Sequence, residues 1–222
     1  MKEMNEKERI VLIGASGFVG SALLEEALNR GHQVTAVVRD PAKITKTGPN
    51  LFVLKADVSS PETVADICRG FSSVISAFNP GWKNPDIYND TIRIYSAILK
   101  GAKEAGVKRL LCVGGAGSLF IAPGLRLMDS GSVPPSLLPG VKAMGDFYLD
   151  ILSREKEIDW VFLSPAADMR PGKRTGKFRM GKDDLIEDER GISAISVEDY
   201  AVAMINELEK PAHHRERFTI GY

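Results

Sequence analysis

The chain contains no apolar stretch long enough to cross a bilayer, so a membrane-spanning helix is excluded. It carries no excess of either charge, 29 basic against 29 acidic residues, and that balance points to neither nucleic acid nor an anionic membrane as a partner. Its two cysteines, Cys68 and Cys112, lie far apart. They are too few for a disulfide framework, and Cys112 sits in an apolar run that reads as core. Reduced thiols and a cytoplasmic location are expected. The three histidines, His32, His213 and His214, fall in what read as surface turns, and no metal site is expected. Met1 to Glu8 are mostly charged and lack the apolar core of a signal peptide. There is no internal repeat and no low-complexity linker. A length of 222 residues fits one domain spanning 1–222 with a sizeable core.

What the chain does have is Gly14-Ala15-Ser16-Gly17-Phe18-Val19-Gly20 between an apolar run, Arg9 to Ile13, and an amphipathic stretch, Phe18 to Arg30. That order reads as strand, glycine turn, helix. Such a turn gathers free backbone N–H groups and the positive end of a helix dipole at one point, where a pyrophosphate can sit. The spacing, G-x-x-G-x-x-G, differs slightly from the common dinucleotide fingerprint.

Further apolar runs follow at Val34–Val38, Leu51–Leu54, Ser73–Ser76, Arg109–Val113 and Asp159–Leu163, and Phe218–Ile220 reads as a last edge strand. They are continuous rather than alternating, as in strands covered on both faces. Helical periodicity fills the gaps at Glu62–Arg69, Asp86–Ala105, Val141–Glu155 and Tyr200–Leu208, the last preceded by Ser196 as a cap. The fold class expected is α/β: a doubly wound, mostly parallel sheet with helices on both faces. Ligands in such sheets bind beyond the carboxyl ends of the strands. Two long segments there, Gly114–Pro139 and Pro165–Ile192, are expected to form a substrate pocket or lid.

Arg39, just past the second strand, stands where an arginine accommodates the 2′-phosphate of NADP, with Asp40 and Lys43 close behind. The other reading makes Arg39 a solvated strand end and Asp40 the cap of the turn before Pro41. Asp57, after the third strand, reads equally as a hydrogen-bond partner for adenine and as a helix N-terminal residue. In the loop after the fifth strand, Phe120, Leu125 and Met128 are candidates to line a pocket for a planar substrate, and Trp82 to stack on it. The basic run from Arg170 to Lys182 reads as a solvated hairpin balanced by Asp183, Asp184 and Glu187 to Glu189.

The segments IVLIGASGFVGSALL, VTAVVRDPAKI, KADVSS, VISAF, VGGAGSL, LSPAADMRPG and ISVEDYAVAMINELE resemble the atypical short-chain dehydrogenase/reductase family of NAD(P)H-binding proteins. That group includes proteins named NADH-flavin reductases and NAD-dependent epimerase/dehydratases, with NmrA-like redox sensors as more distant relatives. The resemblance implies a Rossmann fold in which Gly14, Ser16, Gly17, Phe18 and Val19 cradle the pyrophosphate and Arg39 meets the ribose phosphate. It also implies that Asp57 and Val58 lie near adenine, that Ala77 and Phe78 border the second ribose, and that Gly114 and Pro165 lie near the nicotinamide.

One departure limits the chemistry. Most catalytic members of that superfamily carry Tyr-x-x-x-Lys on the helix after the fifth strand, and none of Tyr88, Tyr95, Tyr148, Tyr200 and Tyr222 has lysine four residues on. The nearest match, Leu138 to Lys142, keeps the lysine alone. Lys142 as a ribose contact and Ser118 as a substrate-polarising serine are the catalytic candidates, against readings as a surface lysine and a loop serine. Hydride transfer to an electron-poor ring needs a positioned acid less than carbonyl reduction does. The expectation is therefore an NADP(H)-dependent oxidoreductase, NAD being possible, whose small-molecule partner is a flavin, quinone or similar acceptor. The alternatives are a non-catalytic NADP(H)-binding redox sensor and an NAD-dependent epimerase or dehydratase. Oligomeric state stays open.

Overall fold

A computed structural model describes residues 7–222, so most of the charged N-terminal octapeptide lies outside it. The first crossover runs β1 (Arg9–Ile13), α1 (Phe18–Asn29), β2 (Gln33–Val38), then β3 (Leu51–Lys55) and α2 (Pro61–Cys68). It continues through β4 (Ser73–Ser76), α3 (Ile87–Glu104), β5 (Arg109–Val113), a hairpin of β6 (Phe120–Ala122) and β7 (Leu125–Arg126), and α4 (Leu138–Asp146). After β8 (Asp159–Ser164) come the short β9 (Asp168–Arg170), β10 (Arg179–Gly181) and β11 (Ala194–Ser196), then α5 (Val197–Glu209) and β12 (Glu216–Gly221).

The main sheet has eight strands in the order β10-β12-β8-β5-β4-β1-β2-β3. Every neighbouring pair is parallel except β10 on β12. The chain leaves β1 toward β2 on one side and returns to β4 on the other, so the carboxyl ends of β1 and β4 flank a switch point. Two apolar layers sandwich the sheet. One contains Leu23, Ala27, Tyr200, Met204 and Phe218, beneath α1 and α5. The other contains Val64, Ile94, Ile98, Phe147 and Phe162, beneath α2, α3 and α4.

Several expectations change. The run Phe218–Ile220 is no edge: β12 is buried between β8 and β10, and the basic segment that read as one solvated hairpin supplies that covering strand. Its other strand, β9, pairs with β11 instead. At the opposite edge β3 is not covered on both faces, and Phe52 is 58% exposed. The helix expected over Val141–Glu155 begins at Leu138, widens to a π-turn over Phe147–Ile151 and tightens to a 3-10 turn at Leu152–Arg154.

His32 is buried rather than in a surface turn. Its Nδ1 accepts from the Glu8 backbone N–H at 3.0 Å, which leaves Nε2 to donate to Glu209 at 2.9 Å and fixes the neutral tautomer. His213 bonds Glu207 and stacks on Phe218, and His214 bonds Asp159.

The long segment after β8 is tied down by carboxylates. Asp199, buried in the first turn of α5, accepts from the backbone N–H groups of Thr175 and Gly176 and from the hydroxyls of Thr175 and Tyr222. Burial alone would raise the pKa of its carboxyl; those hydrogen bonds outweigh it and hold the group below the usual aspartate range. The stabilisation therefore stands above about pH 4 and drains as acidification passes the folded-state pKa. Asp199→Asn should lower stability at neutral pH and flatten the acid limb of the stability profile. Urea midpoints across the acid range, compared with those of the unaltered chain, check this; parallel profiles would refute it.

Candidate functional site

A cleft of about 380 Å³ opens beyond the carboxyl ends of β1, β2, β3 and β4. One wall is the glycine turn. Gly14 has φ +79°, a conformation that glycine adopts without penalty, and its N–H donates to Val37 O at 3.0 Å. A Cβ on Gly14 would lie 2.5 Å from Ala77 O, and one on Gly20 would lie 2.0 Å from Gly14 O. The three chain segments thus meet backbone to backbone.

The first hydrogen bond of α1 runs from the Ser21 N–H to Gly17 O. The N–H groups of Phe18, Val19 and Gly20 precede it and have no backbone partner among the described residues. No side chain caps the helix, and its first turn holds no acidic residue. Free N–H groups at the positive end of a helix dipole suit an anion.

The opposite walls bring further expected residues together: Arg39, Asp57, Val58, Ala77 and Phe78 all line the cleft with Gly14, Ser16 and Gly17. Arg39 and Lys43 are exposed, and neither side chain has a hydrogen bond or ion pair among the described residues. Asp40 caps its own turn by accepting from the Ala42 N–H at 3.2 Å. Asp57 is not a helix cap, since Ser60 fills that position. Its carboxylate accepts from the Ser59 N–H at 2.9 Å, inside the cleft.

Phe18 and Val19 stand in the first turn of α1, outside the cleft lining, with Phe18 half exposed. Gly114 and Pro165 follow β5 and β8, also at carboxyl ends but beyond this cleft. Gly114 packs so tightly that a Cβ there would lie 2.5 Å from the Phe162 ring. Sequence reasoning missed the α3 wall, where Asp90, Arg93 and Ile94 join Asn79, Pro80 and Asn84. The position of Ile94 on the buried stripe of α3 is the one signal that could have found its neighbour Arg93.

The two catalytic candidates fare differently from the cofactor set. Ser118 is fully buried, and its hydroxyl accepts from Arg217 Nη1 at 2.8 Å. Arg217 also bonds Asp183 and lies 4.5 Å over the Tyr148 ring. This buried clamp, together with backbone bonds joining Phe120 to Asp183 and Leu185, pins the hairpin β6–β7 against the segment before β12. Ser118 therefore anchors the loop, its hydroxyl buried and committed to Arg217. Lys142 is exposed on α4, outside the cleft lining. Met128 is core, while Trp82 is exposed beside Gly140.

The tyrosine hydroxyls are mostly committed. Tyr95 donates to Phe78 O at 3.0 Å and Val113 O at 3.3 Å, tying the end of β5 to the loop after β4; burial pushes its pKa up. Tyr200 donates to Leu163 O, Tyr88 to Asp146, and Tyr222 to Ser196 and Asp199. Tyr148 lies stacked on Phe162 beneath Arg217. None of them lines the cleft.

Residues 14–208 match the model of a family described as NAD(P)H-binding. The protein YwnB of Bacillus subtilis (strain 168) is 42% identical over 215 residues, 96% of this chain and 97% of its own length. A solved candidate epimerase from Bacteroides thetaiotaomicron is similar with a TM-score of 0.93 and 67% identity, over 98% of each chain. A candidate NADH-flavin reductase from Streptococcus pneumoniae is 36% identical with a TM-score of 0.79, over 96% of this chain and 99% of that one.

Two substitutions separate cradle from anchor. Gly14→Ala should cost at least about 2 kcal/mol, from the left-handed backbone and the Ala77 contact together, and should abolish nucleotide binding in whatever fraction folds. Thermal unfolding and calorimetric titration read the two effects. Ser118→Ala should lower the melting temperature while leaving nucleotide affinity unchanged; a loss of affinity at unchanged stability would reverse that assignment.

Proposed function

The chain belongs to the NAD(P)H-binding family, and from that premise we propose that it is an NADP(H)-dependent oxidoreductase that passes hydride to a flavin, a quinone or a similar small acceptor. The observation that carries the cofactor half is the pair Arg39 and Lys43, two exposed cations whose side chains have no partner among the described residues, on the rim of a cleft whose floor is the glycine turn. A fork of guanidinium donors beside a mobile ammonium suits a phosphate dianion on the ribose. The residues present fit a dinucleotide: free main-chain N–H groups for the diphosphate, cations for the 2′-phosphate, and Asp57 and Val58 for the base. Ala77 and Phe78 then border the second ribose, and Gly114 and Pro165 stand at the next strand ends. When bound, the reduced nicotinamide supplies the hydride. The chain's part is to hold and orient it.

The acceptor follows from what surrounds that position. The chain lacks a Tyr-x-x-x-Lys pair, the buried Ser118 hydroxyl is taken by Arg217, and the tyrosine hydroxyls other than that of Tyr148 are bonded within the fold, which favours an acceptor that needs no positioned acid. An electron-poor isoalloxazine or quinone ring takes its proton from solvent, and alignment of the two rings is then the main requirement. The likeness to the Streptococcus pneumoniae candidate NADH-flavin reductase supports this choice. The likeness to the Bacteroides thetaiotaomicron candidate epimerase favours a second reading, in which bound NAD is reduced and reoxidised on one substrate.

Oxidation of NADPH followed with flavins, quinones and aldehydes separates these. Turnover with a flavin or quinone and not with aldehydes is expected. NAD retained through purification without external turnover supports the epimerase reading, and tight cofactor binding with no turnover on any acceptor supports a redox sensor. Arg39→Ala should weaken NADPH binding by about tenfold or more and NADH binding far less, since one charge-assisted contact is lost. Equal losses would overturn the phosphate assignment.

A further inference from the structure

The cleft that Asp57, Val58 and Ser59 line carries a second guanidinium, and it differs in its setting from Arg39. Arg93 stands on α3 beside Ile94, both lining the cleft. Its Nη2 donates to Asp90 Oδ1 at 2.6 Å. The other oxygen of Asp90 accepts from Asn84 Nδ2 at 2.8 Å, and Asn84 Oδ1 accepts from the Asp86 N–H at 2.9 Å. Asp90 is thereby held from two sides, and these bonds, Arg93 first and Asn84 second, keep its carboxyl below the ordinary aspartate range. The side chain of Arg93 is 56% exposed. One edge of the guanidinium is fixed to a carboxylate, and part of its charge is offset there.

We propose that Arg93, oriented by Asp90 and Asn84, lays the flat face of its guanidinium on the purine ring of the bound nucleotide, against the wall formed by Val58 and Ser59. This deepens the nucleotide reading above and rests on it. Arg39 and Lys43, unpaired among the described residues, keep a full charge and suit a phosphate. Arg93 is held along one edge by Asp90, which fixes the plane of its guanidinium and offsets part of its charge, and that delocalised plane suits a π-face. The fold therefore divides recognition of the adenosine half between two elements. The end of β2 reads the ribose substituent, and the second turn of α3 reads the base.

The two roles predict different substitution patterns. Lysine preserves charge and loses the plane, so Arg93→Lys should fail as Arg93→Ala does. Each should weaken NADH and NADPH by the same factor, about tenfold, and leave the affinity for nicotinamide mononucleotide unchanged, because that ligand has no purine. Calorimetry or fluorescence titration gives the affinities, and circular dichroism confirms that this exposed position leaves the fold intact. Full affinity in Arg93→Lys, or a loss confined to NADPH, would turn Arg93 into a charge contact and overturn the stacking role. Unchanged binding of both dinucleotides in both variants would remove Arg93 from the site while leaving the nucleotide reading intact. Absence of dinucleotide binding by the unaltered chain would overturn both readings.

Discussion

The site depends on a place where three stretches of backbone touch with no side chain between them. The end of β1, the end of β4 and the first turn of α1 converge on Gly14, Ala77 and Gly20, at separations that no Cβ could enter. This approach has two consequences. It brings the N-terminus of α1 close against the sheet, so its unpaired N–H groups point to where strand order reverses. It also leaves the cleft floor made of main chain, which cannot change rotamer. A binding surface of this kind is organised before its ligand arrives, and little ordering cost remains to be met on binding.

Around that rigid floor the more variable parts are held by buried charge. Glu26 takes Arg30 and Arg174, joining α1 to the segment after β8; burial alone would raise its pKa, and the two arginines outweigh that and lower it. Asp199 holds the next turn of the same segment, and Arg217 holds the hairpin through Ser118 and Asp183. Each carboxylate or guanidinium sits on a regular element and bonds a loop. Such pairs contribute little net stability after desolvation, but they specify one loop position among many. The long segments at the carboxyl end therefore behave as part of the scaffold, with the exposed apolar tip of the hairpin left outside it.

Much of this was legible in the residues. The glycine turn, the parallel strands and the helices between them follow from local patterns, because continuous apolar runs and 3.6-residue stripes report directly on burial. Of the expected residues that line the cleft, the glycine turn, Arg39 and Asp57 follow from their places just after marked strands, while Val58, Ala77 and Phe78 came from the family resemblance. What escaped was set by pairing across long separations. Phe218–Ile220 looks like an edge because its neighbour β10 is a three-residue strand of Arg, Met and Gly with no apolar signature. The run Leu51–Leu54 looks buried because it is apolar, yet it closes the sheet and is exposed. Ser118 reads as a loop hydroxyl until Arg217, 99 residues away, is found against it.

Arg93 escaped for a further reason, which bears on how such clefts recognise their ligands. On its own helix it reads as the partner of Asp90, a surface pair of the kind that contributes little. Such a pair looks idle because its charges cancel. At the wall of a cleft such a pair has a further use: the carboxylate holds one edge of the guanidinium, which stays charged, and its flat, weakly hydrated plane is left for stacking. On the proposed reading, Arg39 and Lys43, unpaired among the described residues, and the paired Arg93 are complementary parts of one recognition surface. Charge is left bare where the ligand is expected to carry a phosphate, and held by a carboxylate where it is expected to present a ring.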